Sequence, residues 1–336
     1  MIKPIAVVIL NWNGNALLSE FLPTVCQNTP EEIADIIVAD NGSTDDSIKT
    51  LTENFPQVRI ILFPQNYGFA EGYNRAIEQL QEYRYIILLN SDVAVTSGWI
   101  EPMLSYATAH PEVAAMQPKI KAYRHPEQFE YAGAAGGYLD CNGFPFCRGR
   151  IFDTIEQDNG QYDDIRDIFW ASGAALFVRS DIYRLIGGLD TAFFAHMEEI
   201  DLCWRILSAG YRIVVVPQST VYHLGGATLD NANPHKLYLN YRNNLLMMHK
   251  NLPLHEGRKR IFLRCLYDGV AAIRYFVGGQ WKYVQAVWNA HQDFHKMKKQ
   301  YCQQPAENKL KDFPESRHNI IFDYFIKHRK RFSNLN

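Results

Sequence analysis

Four almost uninterrupted apolar runs in the first ninety residues constrain the fold of this chain more than any other feature of its sequence. The segments between them, at residues 16–27, 46–54 and 71–81, have the apolar spacing of helices. Apolar strands that alternate with helices predict βαβ units and an α/β fold, with a mostly parallel sheet covered on both faces. The runs are IAVVIL at 5–10, IADIIVAD at 33–40, VRIILF at 58–63 and YIILLN at 85–90.

Polar residues follow each of these four runs. Parallel sheets place their ligands at the carboxyl ends of the strands, so the polar tips predict a site at one edge of the sheet. The tips are Asn11-Trp12-Asn13-Gly14, residues 40–45, residues 66–74, and Asn90-Ser91-Asp92.

The sequence predicts two parts in the whole chain: a domain at 1–233 and a helical region at 234–336. Residues 168–190 predict a strand, a helix with Ser180 as its N-cap, and a glycine stop. A helix over 198–210 and a last strand over 211–217 follow. From Pro234 the pattern is helical to about Ala290, with a break at the paired glycines 278–279.

The charge is distributed unevenly between these two parts. From His235 onward the chain has 19 basic and 7 acidic residues, whereas residues 1–234 have 15 and 29. The basic region also holds Trp281, Tyr283, Trp288 and Phe294. This composition favours work near an anionic membrane surface. The other interpretation is a helical cover whose aromatic residues pack on the first domain.

Composition also bears on location. The six cysteines form no CxxC pair, and Cys141 and Cys147 are the closest two, which indicates reduced cytosolic thiols rather than a disulfide framework or a zinc site. The apolar run before Asn11 is too short for a signal peptide, and no cleavage site follows it. No uncharged apolar run of about 18 residues occurs, so we expect no membrane span. The protein is therefore expected in the cytoplasm, with a peripheral position on the inner face of the membrane left open.

Asn90 and Asp92 are candidate ligands of a cation. They flank one residue, so in an extended segment their side chains lean the same way. Two neighbouring oxygen donors suit Mg²⁺ or Mn²⁺, which also accepts diphosphate oxygens. Beside such a cation His223 becomes a candidate third ligand, although alone it would be interpreted as a buried histidine. A turn cap is the simpler interpretation of the Asn-Ser-Asp segment taken alone.

The first three tips carry candidate groups for a nucleotide. Asp40 could accept hydrogen bonds from a base or a ribose, or it could cap an Asx turn. Trp12 could lie against a base, or it could be a core indole. Gly68 permits close backbone approach and Asn74 lies near a predicted helix start, where anions bind, but a plain loop with a helix entry explains both equally well.

The acidic cluster HMEEIDLCWR, at 196–205, is the candidate catalytic segment. In a helix Glu198, Asp201 and Arg205 share a face, while Glu199 points elsewhere. An ion pair from Asp201 to Arg205 and the helix dipole would explain Asp201. The ion pair and the dipole explain the adjacent glutamates 198 and 199 less well. A carboxylate at a helix start can also act as a general base.

Together these motifs resemble the family 2 glycosyltransferases with the GT-A fold, a Rossmann-like nucleotide-diphospho-sugar transferase fold. The resemblance is strongest to the rhamnosyltransferase-like and galactofuranosyltransferase-like branch, and it covers about residues 1–230. The motifs stand in the family's order: VVILNWNG, VADNGSTDDS, NYGFAEGYNRAI, LLNSDV, ASGAALFVRSDIY, EEIDLCWR and HLGGAT.

The resemblance implies a role for each candidate. Asp40 would contact the nucleobase, and Asn90 with Asp92 would fill the family's Asp-x-Asp position, which binds the metal and the diphosphate. Glu199 would be the catalytic base, with Glu198 as the alternative, and His223 an additional metal ligand. The expected donor-binding set is Asn11, Trp12, Asn13, Asp40, Gly68, Asn74, Asn90, Ser91 and Asp92, with Asp201 and Arg205 as positioning residues.

Two residues depart from the family's pattern. Asn90 replaces the usual first aspartate, which removes one charge from the metal site. Glu199 stands where aspartate is commoner, which lengthens the base by one methylene group.

The implied function is inverting transfer of a sugar from a nucleoside-diphosphate donor to a glycan or lipid-linked acceptor in cell-surface polysaccharide synthesis, with a divalent cation. A nucleotidyltransferase is an alternative, but no Gly-rich, Lys-bearing triphosphate loop lies near residue 14. A non-catalytic carbohydrate-binding module is another. The acidic body argues against nucleic acid as a partner, and a homo-oligomer is left open.

Overall fold

The computed structural model describes residues 3–225, 233–301 and 307–335. Its strands are β1 (Ile5–Asn11), β2 (Ala34–Asp40), β3 (Arg59–Leu62), β4 (Tyr85–Leu89), β5 (Val93–Val95), β6 (Val113–Ala122), β7 (Gly137–Leu139), β8 (Pro145–Cys147), β9 (Arg150–Ile151), β10 (Thr154–Ile155), β11 (Arg166–Asp167), β12 (Ala175–Arg179) and β13 (Arg212–His223). Its helices are α1 (Asn15–Asn28), α2 (Ser47–Asn54), α3 (Gly68–Glu78), α4 (Glu101–Ala109), α5 (Ser180–Ile186), α6 (Glu198–Ser208), α7 (Pro234–Asn251), α8 (Leu254–Val277) and α9 (Trp281–Met297).

Nine of the described strands form one sheet, in the order β11-β13-β6-β12-β4-β1-β2-β3, with β5 paired to β13. The four strands predicted from the apolar runs, β1 to β4, are parallel neighbours. Beyond them the sheet is mixed, because β12 runs antiparallel to both β4 and β6. The beginning of β12 therefore lies beside the end of β4.

The two faces of the sheet carry separate hydrophobic cores. Along β1, Ala6 and Val8 enter one core with Tyr73 of α3, and Val7 enters the other with Leu22 of α1. Successive side chains of a strand point to opposite faces, so both cores need apolar residues from the same strand. This explains why the four runs are continuous rather than alternating. Each such buried aliphatic side chain stabilises the fold by about 1.5–3 kcal/mol.

The helices after residue 233 pack on one another and on the sheet domain. As predicted, the glycines at 278–279 separate two helices, α8 and α9, and Gly279 has a φ of 71°. Phe294 of α9 is buried in the same core as Leu245 and Met248 of α7. After α9, short helical turns bring Phe332 against Tyr138, with ring centroids 5.6 Å apart. None of the helices in the described ranges is long and apolar enough to cross a bilayer.

One local prediction is wrong. Ser180 is not the N-cap of α5 but its first residue; Arg179 occupies the cap position, and no side chain caps the helix. The Ser180 hydroxyl is buried without a hydrogen-bond partner. The predicted glycine stop is confirmed, since Gly187 ends the helix with a left-handed φ of 87°.

Candidate active site

Four strands, β1, β2, β4 and β13, bring polar residues to one edge of the sheet. Asn11 and Asp40 lie opposite each other at the ends of β1 and β2. The backbone N–H of Asn90, just after β4, donates to the carbonyl of Ala174, just before β12, at 3.0 Å. His223 at the end of β13 lies opposite Val93. The predicted convergence of polar strand ends is therefore present.

Asp40 is held at this edge by its neighbours. It is only 2% exposed, and its carboxylate accepts hydrogen bonds from Asn11 Nδ2 and from the backbone N–H of Ser43, both at 2.9 Å. The second bond reaches the N–H three residues on, so Asp40 caps the loop after β2 but does not form an Asx turn, which bonds two residues on. Asn11 Oδ1 is buried without a partner, so this corner retains an acceptor for a ligand.

Trp12 and Asn13 lie on the surface of the same corner. The indole of Trp12 is 52% exposed, so its interpretation as a core residue is wrong. Asn13 has a φ of 49°, and its side-chain oxygen accepts from the backbone N–H of Thr44 at 2.7 Å. This bond ties the loop after β1 to the loop after β2 and leaves the indole free to contact a ligand.

The first two turns of α3 differ from their prediction. Gly68 has a φ of 79°, and a Cβ added there would meet the ring of Phe194 at 2.7 Å, so the close approach at Gly68 is to a side chain of this protein. Asn74 donates to the carbonyl of Leu189 at 2.7 Å, and its oxygen accepts from Tyr183 and from Leu189. Both ends of this amide are thus engaged within the fold, which corrects the assignment of Asn74 to donor binding.

Asp92 lies in a buried row of charged side chains with His223 and Glu130. His223 Nε2 is 3.1 Å from Asp92 Oδ1, and its Nδ1 is 3.4 Å from Glu130 Oε1, an ion-pair contact without hydrogen-bond geometry. Burial alone would lower the pKa of His223, but Glu130 and Asp92 raise it to about 10. Burial would raise the pKa of Asp92, yet the interaction with His223 brings it below its usual value.

The oxygen donors at this position fit a cation better than the imidazole does. The side-chain amide of Asn90 has no partner in the described part of the chain, and Asp92 presents a charged carboxylate one residue away. His223 would have to lose a proton that two carboxylates stabilise. No group of three or more His, Cys, Asp or Glu side chains within the described ranges is arranged to hold a metal. Asn90 and Asp92 therefore fit a cation that takes its other ligands from water and a diphosphate.

A strained loop leads into α6. Phe194, His196 and Met197 all have left-handed φ values, of 64°, 69° and 72°. Such a conformation costs of order 1–3 kcal/mol for each non-glycine residue and persists only where the surroundings enforce it. Asn243 of α7 enforces it here, because its Nδ2 lies within 3.0 Å of the carbonyl oxygens of Phe193, Ala195 and His196.

The loop places two glutamates with unpartnered oxygens at the start of α6. Glu198 Oε2 and Glu199 Oε2 are both buried without a hydrogen-bond partner. Burial raises the pKa of Glu199 to about 7, against an ordinary value of 4.5. Burial and the neighbouring charge of Glu199 raise the pKa of Glu198 well above its ordinary value. Glu198 is only 4% exposed, whereas Glu199 is half-buried, so Glu199 is the more accessible of the two.

Glu199 and the Asp92 region adjoin the same short segment. A Cβ added to Gly173 would lie 3.7 Å from the Cβ of Glu199, so the Glu199 side chain packs against Gly173. The next residue, Ala174, accepts the hydrogen bond from the N–H of Asn90. The candidate base and the candidate cation ligands thus lie at one edge, connected through two residues.

Asp201 and Arg205 hold the fold rather than a ligand. Asp201 is fully buried and accepts from Arg205 at 2.8 Å, Lys250 at 2.9 Å and Asn251 at 2.7 Å. Arg205 also donates to the carbonyls of Ile186 and Gly188. Burial would raise the pKa of Asp201, but Arg205 and Lys250 lower it below its usual value. The predicted ion pair is present, and their assignment as ligand-positioning residues is corrected because every charged group is engaged within the fold.

Sequence reasoning missed three residues of this region: Glu130, Arg242 and Asn243. Glu130 lies in a stretch without periodicity and meets His223 from far along the chain. Arg242 donates to the carbonyls of Ala192 and Phe193 and so reinforces Asn243. The available signal was the polar run of residues 242–244 inside an otherwise apolar part of α7. The end of the HLGGAT motif, from residue 226, lies outside the described residues.

Comparison with known proteins agrees with this architecture. A model described as glycosyl transferase family 2 matches residues 6–169. An N-acetylglucosaminyl-diphospho-decaprenol L-rhamnosyltransferase of Mycobacterium tuberculosis is 27% identical over 291 residues, which cover 82% of this chain and 92% of that protein. The dTDP-rhamnosyl transferase RfbF of Shigella flexneri is 21% identical, with 71% and 76% covered.

A solved structure, GalNAc-T7 with UDP, GalNAc and Mn²⁺, superposes with a TM-score of 0.57 at 15% identity. It covers 74% of this chain, which spans about half (48%) of that protein. The fold is therefore that of the GT-A glycosyltransferases. Residues 6–169 match the family 2 glycosyltransferases, and the chain is similar to relatives that are named rhamnosyltransferases. The protein is a glycosyltransferase, so the nucleotidyltransferase and the non-catalytic module are set aside.

Proposed function

We propose that the enzyme transfers L-rhamnose from dTDP-L-rhamnose to a hydroxyl of a lipid-diphosphate-linked sugar, with inversion at the anomeric carbon, in cell-surface polysaccharide synthesis. The sugar, the nucleotide and the lipid-diphosphate acceptor are suggested by the relatives, one of which acts on N-acetylglucosaminyl-diphospho-decaprenol while another is a dTDP-rhamnosyl transferase.

The observation that carries the proposal is the carboxyl group of Glu199. It lies at the same sheet edge as Asp92, with one oxygen unpartnered and a pKa of about 7. A carboxylate with such a pKa is half ionised at neutral pH and can accept a proton from an approaching hydroxyl. Glu198, which is more deeply buried, remains the alternative base.

The reaction forms one bond and breaks another at the anomeric carbon. The acceptor oxygen attacks from the face opposite the diphosphate, and its proton passes to Glu199. The bond between the anomeric carbon and the diphosphate breaks, and its electron pair leaves with the nucleoside diphosphate. Asp40, Asn11 and Trp12 would hold the base and ribose, with Asn13 and Ser91 beside the donor.

A divalent cation, Mg²⁺ or Mn²⁺, would be held by Asn90 and Asp92. When bound, it would offset the negative charge that develops on the leaving diphosphate. His223 supports this site from behind by hydrogen bonding to Asp92, and it joins as a ligand only if it loses its proton.

The acceptor of such a reaction is anchored in a bilayer. We therefore place the enzyme in the cytoplasm, against the inner face of the cytoplasmic membrane.

Transfer assays with a panel of nucleotide sugars test the proposal. Purified enzyme with Mn²⁺ and a synthetic polyprenyl-diphosphate-N-acetylglucosamine should give a rhamnosylated product from dTDP-L-rhamnose, with inverted anomeric configuration by NMR. Transfer from another donor alone would contradict the proposed sugar. A product with retained configuration would contradict the proposed role of Glu199.

A further inference from the structure

One side of α8 carries an uncovered line of large apolar residues. Their spacing of three or four residues puts them on a single helical face, and at 1.5 Å per residue the line extends over roughly 20 Å. Their side chains are between 54% and 80% exposed. These residues, which we call the apolar stripe, are Phe262, Leu266, Val270, Ile273 and Val277.

The opposite side of α8 is satisfied within the protein. Arg264 and Asp268 are buried and form an ion pair at 2.8 Å. Asp268 is also 3.1 Å from His291 of α9. The helix therefore packs through its polar side and leaves its apolar side open, the reverse of an ordinary surface helix.

Indole side chains extend the stripe beyond the turn between α8 and α9. Trp281 is 63% exposed and packs edge-on against Phe276, with ring centroids 4.8 Å apart. Trp288 lies two turns further along α9 and is 66% exposed. Tryptophan is the side chain most typical of the boundary between lipid and water.

The charges around the stripe are of one sign. Arg258, Lys259, Arg274 and Lys282 are exposed, and none is paired with an acid in the described part of the chain. Every acid of α8 and α9 is already engaged: Glu256 with Lys311, Asp268 with Arg264, and Asp293 with Lys296. Two copies joined through this face would bring eight unpaired cations together, which disfavours a dimer as the occupant.

We propose that the apolar stripe, Trp281 and the four surrounding cations dock the enzyme on an anionic phospholipid bilayer. The proposal rests on the proposed function in one respect, since the acceptor is taken to be lipid-linked. Apolar side chains would enter the boundary of the bilayer while the arginines and lysines meet lipid phosphates. On its other side α8 contacts α7, the helix that holds the loop before Glu198, because Arg264 donates to Asn244.

Vesicle flotation of the full-length protein tests the docking surface. The protein should float with phosphatidylglycerol-containing vesicles and less with pure phosphatidylcholine. Arg258→Gln/Lys259→Gln should weaken binding to the anionic vesicles by roughly fivefold for each cation removed, and only at low salt. Leu266→Gln/Val270→Gln should weaken it at least about tenfold at every salt concentration. Leu185→Gln, at a leucine on α5 that is 70% exposed, is the matched control and should bind like wild type.

Any of three outcomes would overturn the proposal. Wild type could fail to float in every lipid, Leu266→Gln/Val270→Gln could float as well as wild type, or wild type could form a dimer in analytical ultracentrifugation that this variant does not form. Melting temperatures near that of wild type would show that the variants fold. Rhamnosyl transfer to a water-soluble acceptor analogue separates the two proposals. Transfer without vesicle binding contradicts the docking surface alone, whereas vesicle binding without transfer contradicts the proposed function alone.

Discussion

Two buried acidic regions meet at the candidate site, and the fold treats them in opposite ways. At the end of β4, Asp92 shares His223 with Glu130, so its charge is balanced and its pKa is lowered. At the start of α6, Glu198 and Glu199 each keep an unpartnered oxygen, and their pKa values are raised. Asp92 therefore stays ionised and can bind a cation. Glu198 and Glu199, in contrast, are suited to accepting a proton.

The largest effect, a loss of kcat, is expected at the two glutamates that start α6. Glu199→Gln should reduce kcat by roughly 10²–10⁴-fold, because the amide cannot accept the hydroxyl proton. The affinity for the donor, measured by calorimetry with Mn²⁺, should change little.

Glu198→Gln is the matched control for that variant, since it removes the neighbouring carboxylate. It should retain much more activity than Glu199→Gln. The reverse order would assign the base to Glu198.

The second effect is on the free energy of unfolding, and it compares Glu199 with Asp201, two residues further along α6. Asp201→Asn should destabilise the fold by about 3 kcal/mol at pH 7, because Lys250 and Arg205 lose their buried partner. The folded pKa of Asp201 is below its ordinary 3.8, so this contribution is present above that pH and disappears as the pH falls below it.

Glu199→Gln should have the opposite effect on the free energy of unfolding, which urea titrations of the two variants and wild type at several pH values measure. Its folded pKa of about 7 exceeds the ordinary 4.5, so ionisation costs stability as the pH rises through that interval. The variant should be more stable than wild type at pH 8, with no gain at pH 4. A loss of stability at pH 8 would contradict the unpaired state of this carboxyl.

The third effect is on the affinity for Mn²⁺ and concerns Asp92, whose charge is balanced by His223. Asp92→Asn removes the charge that faces His223, and the apparent affinity for Mn²⁺ in the transfer assay should fall by about tenfold or more. Asn90→Asp is the matched variant, because it restores the acid usual in the family; it should tighten Mn²⁺ binding. Equal Mn²⁺ dependence in both variants and wild type would place the cation elsewhere.

A smaller effect on kcat is expected at Asn243, which holds the loop before the two glutamates in place. Asn243→Ala should lower kcat by about tenfold while the donor KM changes little, since it releases the strained loop before Glu198. It should also shift the acid limb of the pH–rate profile. Asn251→Ala, at the last residue of α7, is the control, because Asn251 binds Asp201 and does not touch the loop. Equal kinetic changes in both variants would indicate only general destabilisation.

The contrast between the regions also explains what the sequence could predict. The strands β1 to β4 were located within two residues of their ends, because a sheet buried on both faces needs continuous apolar runs. Asp40 and Asp92 were found because they follow those strands. The state of each acid was not predictable, since it depends on partners distant in the chain. Glu130 and Lys250 carry no local signal that links them to His223 and Asp201.

Side chains that bind the protein itself account for the wrong assignments. Asn74 and Arg205 have the residue types expected of ligand-binding groups, yet both bind backbone carbonyls near the turn after α5. Ser180 was predicted as a cap from its type, but Arg179 occupies that position. Residue type and spacing identify groups that can bind; only the packing decides whether the protein has already used them.

The pH dependence of kcat for wild type, from pH 5 to 9 with saturating donor, acceptor and Mn²⁺, tests the difference between the two regions most directly. Activity should rise with pH through a single ionisation at about 7, the pKa of Glu199. A profile that is already flat at pH 5 would mean that the proton acceptor is an ordinary carboxylate, and the role assigned to the unpaired glutamate would be wrong.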